Sequence, residues 1–148
     1  EMGLAGVVLS NHGGRQLDFA RSGVEVLEEV MRELRKRGSF PNPAFQVMVD
    51  GGFRRGTDIL KALAMGATAV GIGRPFLYAY SAYGVDGVIH AINLLRDELE
   101  MNMRLIGPRS IEELVPSMVD LSALHNHTGA VFPKQDQSVL DFMDKSRL

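Results

Sequence analysis

The chain has 148 residues, 45% of them hydrophobic and 23% charged, with a net charge of −2 and no cysteine. That length fits one domain with a core of its own. The balance gives no basic field for nucleic acid, the absence of thiols excludes disulfides and Cys-based zinc sites, and no apolar run reaches the ~20 residues of a spanning helix.

EMGLAGVV carries no signal-peptide or transit pattern and runs straight into a strand, so the chain is expected to be the C-terminal piece of a longer protein. Gly6 to Ser10 is a short continuous apolar run, which suits a strand covered on both faces. SNHGGRQLD follows as a loop. From Val24 to Arg37, residues Val26, Leu27, Val30, Met31 and Leu34 recur at helical spacing, and Gly38 stands where the helix ends. SFPNPA is a loop with two prolines, and Phe45 to Val49 is a second strand closed by Asp50-Gly51-Gly52. Arg55 to Ala64 reads as a helix with Thr57 as N-cap, Asp58 in its first turn and Gly66 as terminator. Ala69 to Ile72 is a third strand, ending in Gly73-Arg74-Pro75. Phe76 to Tyr83 is a short helix. Val88 to Ile106 is a long one, with Val88, Ile92, Leu95, Leu99, Met103 and Ile106 on one stripe. Ile111 to Val115 adds a helical turn or two, and Thr128 to Leu148 reads as a tail.

Strands alternating with helices imply a parallel sheet, and in such folds ligands meet the carboxyl ends of the strands. All three strand ends carry unusual residues: His12 with Arg15, Asp50 with Gly51 and Gly52, and Gly73 with Arg74. In VDGGFRRGTD the glycines let backbone amides approach a ligand, the next helix turns its positive end to the same place, and Arg54 or Arg55 adds a grip on phosphate. GIGRPF repeats the theme but is not the dinucleotide fingerprint, because Phe76 holds the third glycine position. Asp50 reads equally as a turn former and as an acceptor for ligand hydroxyls. An imidazole such as that of His12 can take or give a proton and Arg15 matches a carboxylate, a pair suited to a small hydroxy acid. The plainer reading has His12 closing a strand end and Arg15 paired with a surface acid. His90 on a helix and the His125/His127 pair have no convincing metal partners, so no metal site is expected.

SNHGGRQLD, DGGFRRGTDILKALAMGA and GIGRPFLY together resemble the FMN-dependent α-hydroxy acid dehydrogenase and oxidase family. The likeness covers about Gly3 to Gly107. RDELEMNMRLIG and SIEELVPSMVDLSAL look most like its flavocytochrome b2 branch. The resemblance implies an α/β fold, the last three βα units of a (β/α)₈ TIM barrel over residues 1–127, with the tail at 128–148. It implies His12 as catalytic base and Arg15 as the substrate-carboxylate anchor. It implies Asp50, Gly51, Gly52, Arg54, Gly73 and Arg74 around FMN, Asp50 on the ribityl hydroxyls and the rest on the phosphate. The implied reaction oxidises an L-2-hydroxy acid of lactate or glycolate type to the 2-oxo acid. The acceptor is oxygen or cytochrome c, with haem in an upstream domain for the latter. A homo-oligomer is implied for the full-length form. The carboxylate that orients the histidine and the lysine at the flavin come from earlier strands in this family, so the fragment alone is expected to be inactive. Two other readings stay open: another FMN- or phosphate-binding barrel enzyme, and a non-catalytic fragment or pseudoenzyme serving as an assembly subunit. Ser146-Arg147-Leu148 resembles a peroxisomal address, with the mitochondrion as the alternative.

Overall fold

A computed structural model describes residues 3–124. The tail from Thr128, the 127/128 boundary, His125, His127 and Ser146-Arg147-Leu148 lie outside the described residues.

The described chain runs β1 (Gly6–Leu9), α1 (Gly23–Lys36), β2 (Gln46–Asp50), α2 (Gly56–Met65), β3 (Ala69–Gly71) and α3 (Arg74–Ile106), followed by 3₁₀ turns at Ile111–Glu113 and Pro116–Met118. The strands form one parallel sheet in the order β1-β2-β3, with Val7 beside Val47 and Val49 beside Val70. Parallel pairing needs a crossover between successive strands, and α1 and α2 supply the two.

The period of two decides which side chains meet the helices. Val47 and Val49 are buried against Leu27 and Met31 of α1 and Ala62 and Met65 of α2, with Val7, Leu9 and Val70 at the margin. Leu27, Met31 and Val49 are wholly buried. Each such side chain stabilises the fold by roughly 1.5–3 kcal/mol. The alternate residues Val8, Met48 and Asp50 stand on the opposite face. The register puts Val8 beside Met48 and Asp50 beside Gly71. Val8 is 55% exposed, so among the described residues β1 is covered on one face rather than both. Its apolar run reflects a second face that no described residue occupies.

A smaller core joins Leu60 and Ala64 of α2 to Met103 of α3 and Leu114 beyond it. The stripe expected on the long helix is buried at Met103 and half-buried at Leu95 and Leu99, but Ile92 and Ile106 are exposed. α3 is two helices joined across a kink at Gly84 (φ 61°, ψ −146°), which falls between the two helices read from the sequence. The N-cap of α2 is Arg55, in extended conformation, so Thr57 lies inside the first turn and caps nothing. The sequence reads Thr57 as the cap from its hydroxyl. In the fold, the Gly56 amide donates to Glu98 of α3 and the Arg55 amide to Asp58 within α2. Gly66, in the left-handed region, ends α2 as expected. β3 stops at Gly71, one residue short of the expected Ile72.

Candidate active site

The carboxyl ends of the three parallel strands converge on one cavity of about 390 Å³. Its lining holds His12 and Arg15 from the loop after β1, Asp50, Gly51, Gly52 and Arg54 at and after β2, and Gly73 and Arg74 after β3. All eight residues singled out by the sequence are thus brought together. Phe53, Ile72, Pro75 and Leu77 add an apolar wall that the sequence reading did not assign.

The β1 loop is shaped by short polar contacts. Asn11 accepts a hydrogen bond from the Gly14 amide through Oδ1 and donates from Nδ2 to the Arg21 carbonyl. The Ser10 hydroxyl accepts from the His12 amide. His12 itself sits at φ +56°, a region that is strained for a residue with a Cβ. Such a conformation costs roughly 1–3 kcal/mol and persists where the surroundings enforce it, often at functional sites. Gln16 Nε2 lies 2.9 Å from His12 Nδ1. A carboxamide offers a donor or an acceptor by turning over, so Gln16 orients the imidazole in either tautomer. The motif contained Gln16, but only the one-turn return of the loop reveals the contact.

At the end of β2, Gly51 and Gly52 have φ of +88° and +90°, a path that keeps backbone against the cavity. Asp50 Oδ1 is buried with no hydrogen-bond partner among the described residues. A buried carboxylate oxygen is costly unless a donor meets it. An orphan acceptor on a residue that lines the cavity fits a hydroxyl-bearing ligand and favours the ligand reading of Asp50 over the turn-forming one.

At the end of β3, α3 begins with Arg74 and Pro75 on the cavity lining, which brings the positive end of the helix dipole to the site. Arg15, Arg54 and Arg74 face a single lining carboxylate, Asp50, in a chain whose net charge is −2. That concentration suits a polyanion together with a carboxylate guest. Arg55, the alternative to Arg54 in the sequence reading, points elsewhere, into a groove lined by Asp97, Glu98 and Asn102. The first amides of α2 are also engaged internally: Arg54 and Arg55 donate to Asp58 Oδ2 and Gly56 to Glu98 Oε2. Among the described residues no cluster of His, Asp or Glu is placed to hold a metal ion.

The orphan hydroxyl acceptor, the glycine path and the guanidinium groups of Arg54 and Arg74 fit FMN. Asp50 would meet its ribityl hydroxyls. Gly51, Gly52, Arg54, Gly73 and Arg74 would surround its phosphate.

Comparison with known proteins shows the family. Residues 1–121 match the family of FMN-dependent dehydrogenases. The chain is 61% identical to the L-lactate dehydrogenase (cytochrome) of Wickerhamomyces anomalus over 126 residues, 85% of this chain and 22% of the relative. It is 50% identical to the peroxisomal (S)-2-hydroxy-acid oxidase GLO4 of Oryza sativa subsp. japonica over 119 residues, 80% of this chain and 31% of the relative. A flavocytochrome b2 mutant with pyruvate bound superposes with a TM-score of 0.79 and 53% identity, over 94% of this chain and 34% of that one. The chain spans about a fifth to a third of the length of the curated relatives it matches. Its three parallel strands and their helices correspond to part of the flavocytochrome b2 TIM barrel. The chain belongs to the FMN-dependent dehydrogenase family.

Proposed function

We propose that the protein carrying this chain oxidises an L-2-hydroxy acid of lactate or glycolate type to the 2-oxo acid. The observation that carries the reading is the single cavity holding His12 and Arg15 beside the residues fitted to FMN. Arg15 supplies a planar cation for the substrate carboxylate and so fixes which carbon faces the site. His12, held by Gln16, takes the proton of the substrate hydroxyl as the carbonyl forms. Asp50 accepts from ribityl hydroxyls, and Arg54 and Arg74 neutralise the phosphate. FMN, when bound, would accept the two electrons together with the second hydrogen, the one that leaves the substrate α-carbon. Pyruvate in the matching flavocytochrome b2 structure supports a 2-oxo acid product.

Electrons then pass to cytochrome c, as the name of the L-lactate dehydrogenase relative supports, or to oxygen, as in an oxidase. A haem in an upstream domain belongs to the first route. Ser146-Arg147-Leu148 and the peroxisomal relative support the second, with a peroxisomal location.

The test is anaerobic mixing of full-length holoprotein with L-lactate or glycolate. Loss of the yellow flavin absorbance is expected with one of them. Retained colour with both overturns the reading. Re-oxidation by cytochrome c or by oxygen then assigns the acceptor.

A further inference from the structure

We propose that Glu98 is a positioning residue for the cofactor phosphate: from α3 it engages Arg55 and the first amide of α2, so that of two adjacent arginines only Arg54 is presented to the cavity. This rests on the FMN reading above. Arg55 has extended backbone (φ −130°, ψ 154°), and successive side chains of an extended segment point to opposite sides. Arg54 lines the cavity, and Arg55 lies in the groove between α2 and α3.

Three contacts hold it there. Arg55 Nε donates to Glu98 Oε1 and Oε2 at 2.9 and 3.1 Å, and Arg55 Nη2 lies 2.7 Å from Oε1. Glu98 Oε2 also accepts from the Gly56 amide at 2.8 Å. The two helices touch nearly backbone to backbone at this point. A Cβ on Gly56 would stand 2.4 Å from the Leu99 nitrogen and 2.5 Å from the Glu98 Cβ, so only glycine allows the approach. The Arg55 hydrogen bond, and after it the Gly56 amide, hold the Glu98 carboxyl below its ordinary range. The carboxylate is therefore charged at neutral pH.

Without Glu98, Arg55 becomes a mobile cation beside Arg54, and the start of α2 loses the partner of its first amide. Arg54 shares that turn, because its own amide and that of Arg55 both donate to Asp58 Oδ2. The Arg55 side chain is 69% exposed, so the ion pair adds little to global stability. The effect therefore falls on phosphate recognition rather than on folding.

FMN and riboflavin, which lacks the phosphate, discriminate the two. Both are titrated by flavin fluorescence into full-length apoprotein bearing wild-type Glu98, Glu98→Ala or Glu98→Gln, and each apoprotein is melted. Glu98→Ala is expected to weaken FMN about tenfold. Riboflavin affinity should change less than about twofold and the melting point by less than about 2 °C. Glu98→Gln, which keeps an acceptor for Gly56, falls between. Unchanged or tighter FMN binding overturns the proposal. So does an equal loss of both flavins, or a melting point lowered by several degrees. A wild-type protein that takes up no FMN overturns the cofactor reading instead.

Discussion

Arg74 Nη2 donates a hydrogen bond of 2.9 Å to the carbonyl of Gly13, tying the first residue of α3 to the loop that carries His12. The two positions are 61 residues apart, and each lies on a different strand end. One guanidinium therefore joins two strand ends: it stands at the start of α3 and reaches, through Gly13, the loop that carries His12. Gly13 sits at φ +64°, and a Cβ there would stand 3.3 Å from Arg74 Nη2.

Gly13→Ala is thus expected to strain the loop and crowd the guanidinium at once. It should lower kcat by about tenfold and weaken FMN less, because the phosphate keeps Arg54 and the glycine amides. Arg74→Ala should do the reverse and weaken FMN first, by about 10–100-fold. Steady-state kinetics at saturating FMN, beside flavin titration, separate the two. Equal effects of both variants on kcat and on FMN affinity would contradict the division of labour.

His12 and Arg15 face one cavity but are assigned different work, so their variants should differ in kind. His12→Gln keeps size and hydrogen bonding but removes the base. It should lower kcat by about 10²–10⁴-fold with FMN still bound. Arg15→Lys keeps the charge and loses the fork. It should raise KM for the hydroxy acid by about tenfold and lower kcat as the substrate is misplaced. A His12→Gln enzyme of near-normal kcat would remove His12 from its role.

Asp50 Oδ1 is buried without a partner among the described residues, beside the close approach of Gly71. Asp50→Asn preserves the shape but can replace an acceptor with a donor, so a ribityl hydroxyl meets it less well. FMN affinity should fall by about tenfold. Riboflavin affinity should fall as much, since both flavins carry the same hydroxyls. Loss confined to FMN would place Asp50 at the phosphate instead.

Acid should act on FMN binding through Glu98. Its carboxyl titrates below the ordinary 4.5 because Arg55 and the Gly56 amide favour the charged form. A depressed folded-state pKa means that the stabilising contribution is present above 4.5 and is lost as pH falls through the folded value. The ratio of wild-type to Glu98→Gln FMN affinity should hold steady at neutral pH and shrink toward one only below 4.5. Comparing the two proteins cancels titration of the FMN phosphate itself. A ratio that already collapses between about pH 5 and pH 6 would point to another group.

What could be read in the sequence was what lies close in the chain. The βα rhythm, the three strand ends and the eight lining residues sit in three contiguous motifs, and a parallel sheet brings its strand ends to one edge. Contacts across long separations left no such trace. Nothing in RRGTD says that Arg55 turns to Glu98, 43 residues on, or that Arg74 reaches back to Gly13. Thr57 looked like a cap because the true partners of those amides, Asp58 and Glu98, are carboxylates inside and beyond the helix. Ser22 caps α1 and forms a box with Glu25, a spacing that the sequence displays. The one-sided covering of β1 was illegible for a different reason: an apolar run records the neighbours of the whole barrel, not those within this stretch of chain.

Val8, Leu77, Tyr78 and Tyr83 are more than half exposed, and the outer edges of β1 and β3 pair with no described strand. Open edges and large apolar patches drive association between copies. The isolated chain of residues 1–148 should elute as aggregates or fail to stay in solution, and should take up no FMN. Co-expression with the segment that supplies the remaining barrel strands should restore a single soluble species with bound yellow flavin. In a whole barrel the strands that cover Val8 would also complete the walls of the cavity, so solubility and flavin uptake should return together. A monomeric isolated chain that binds FMN as tightly as the full-length protein would show that the three strand ends suffice, and would remove the rest of the barrel from the account of cofactor binding.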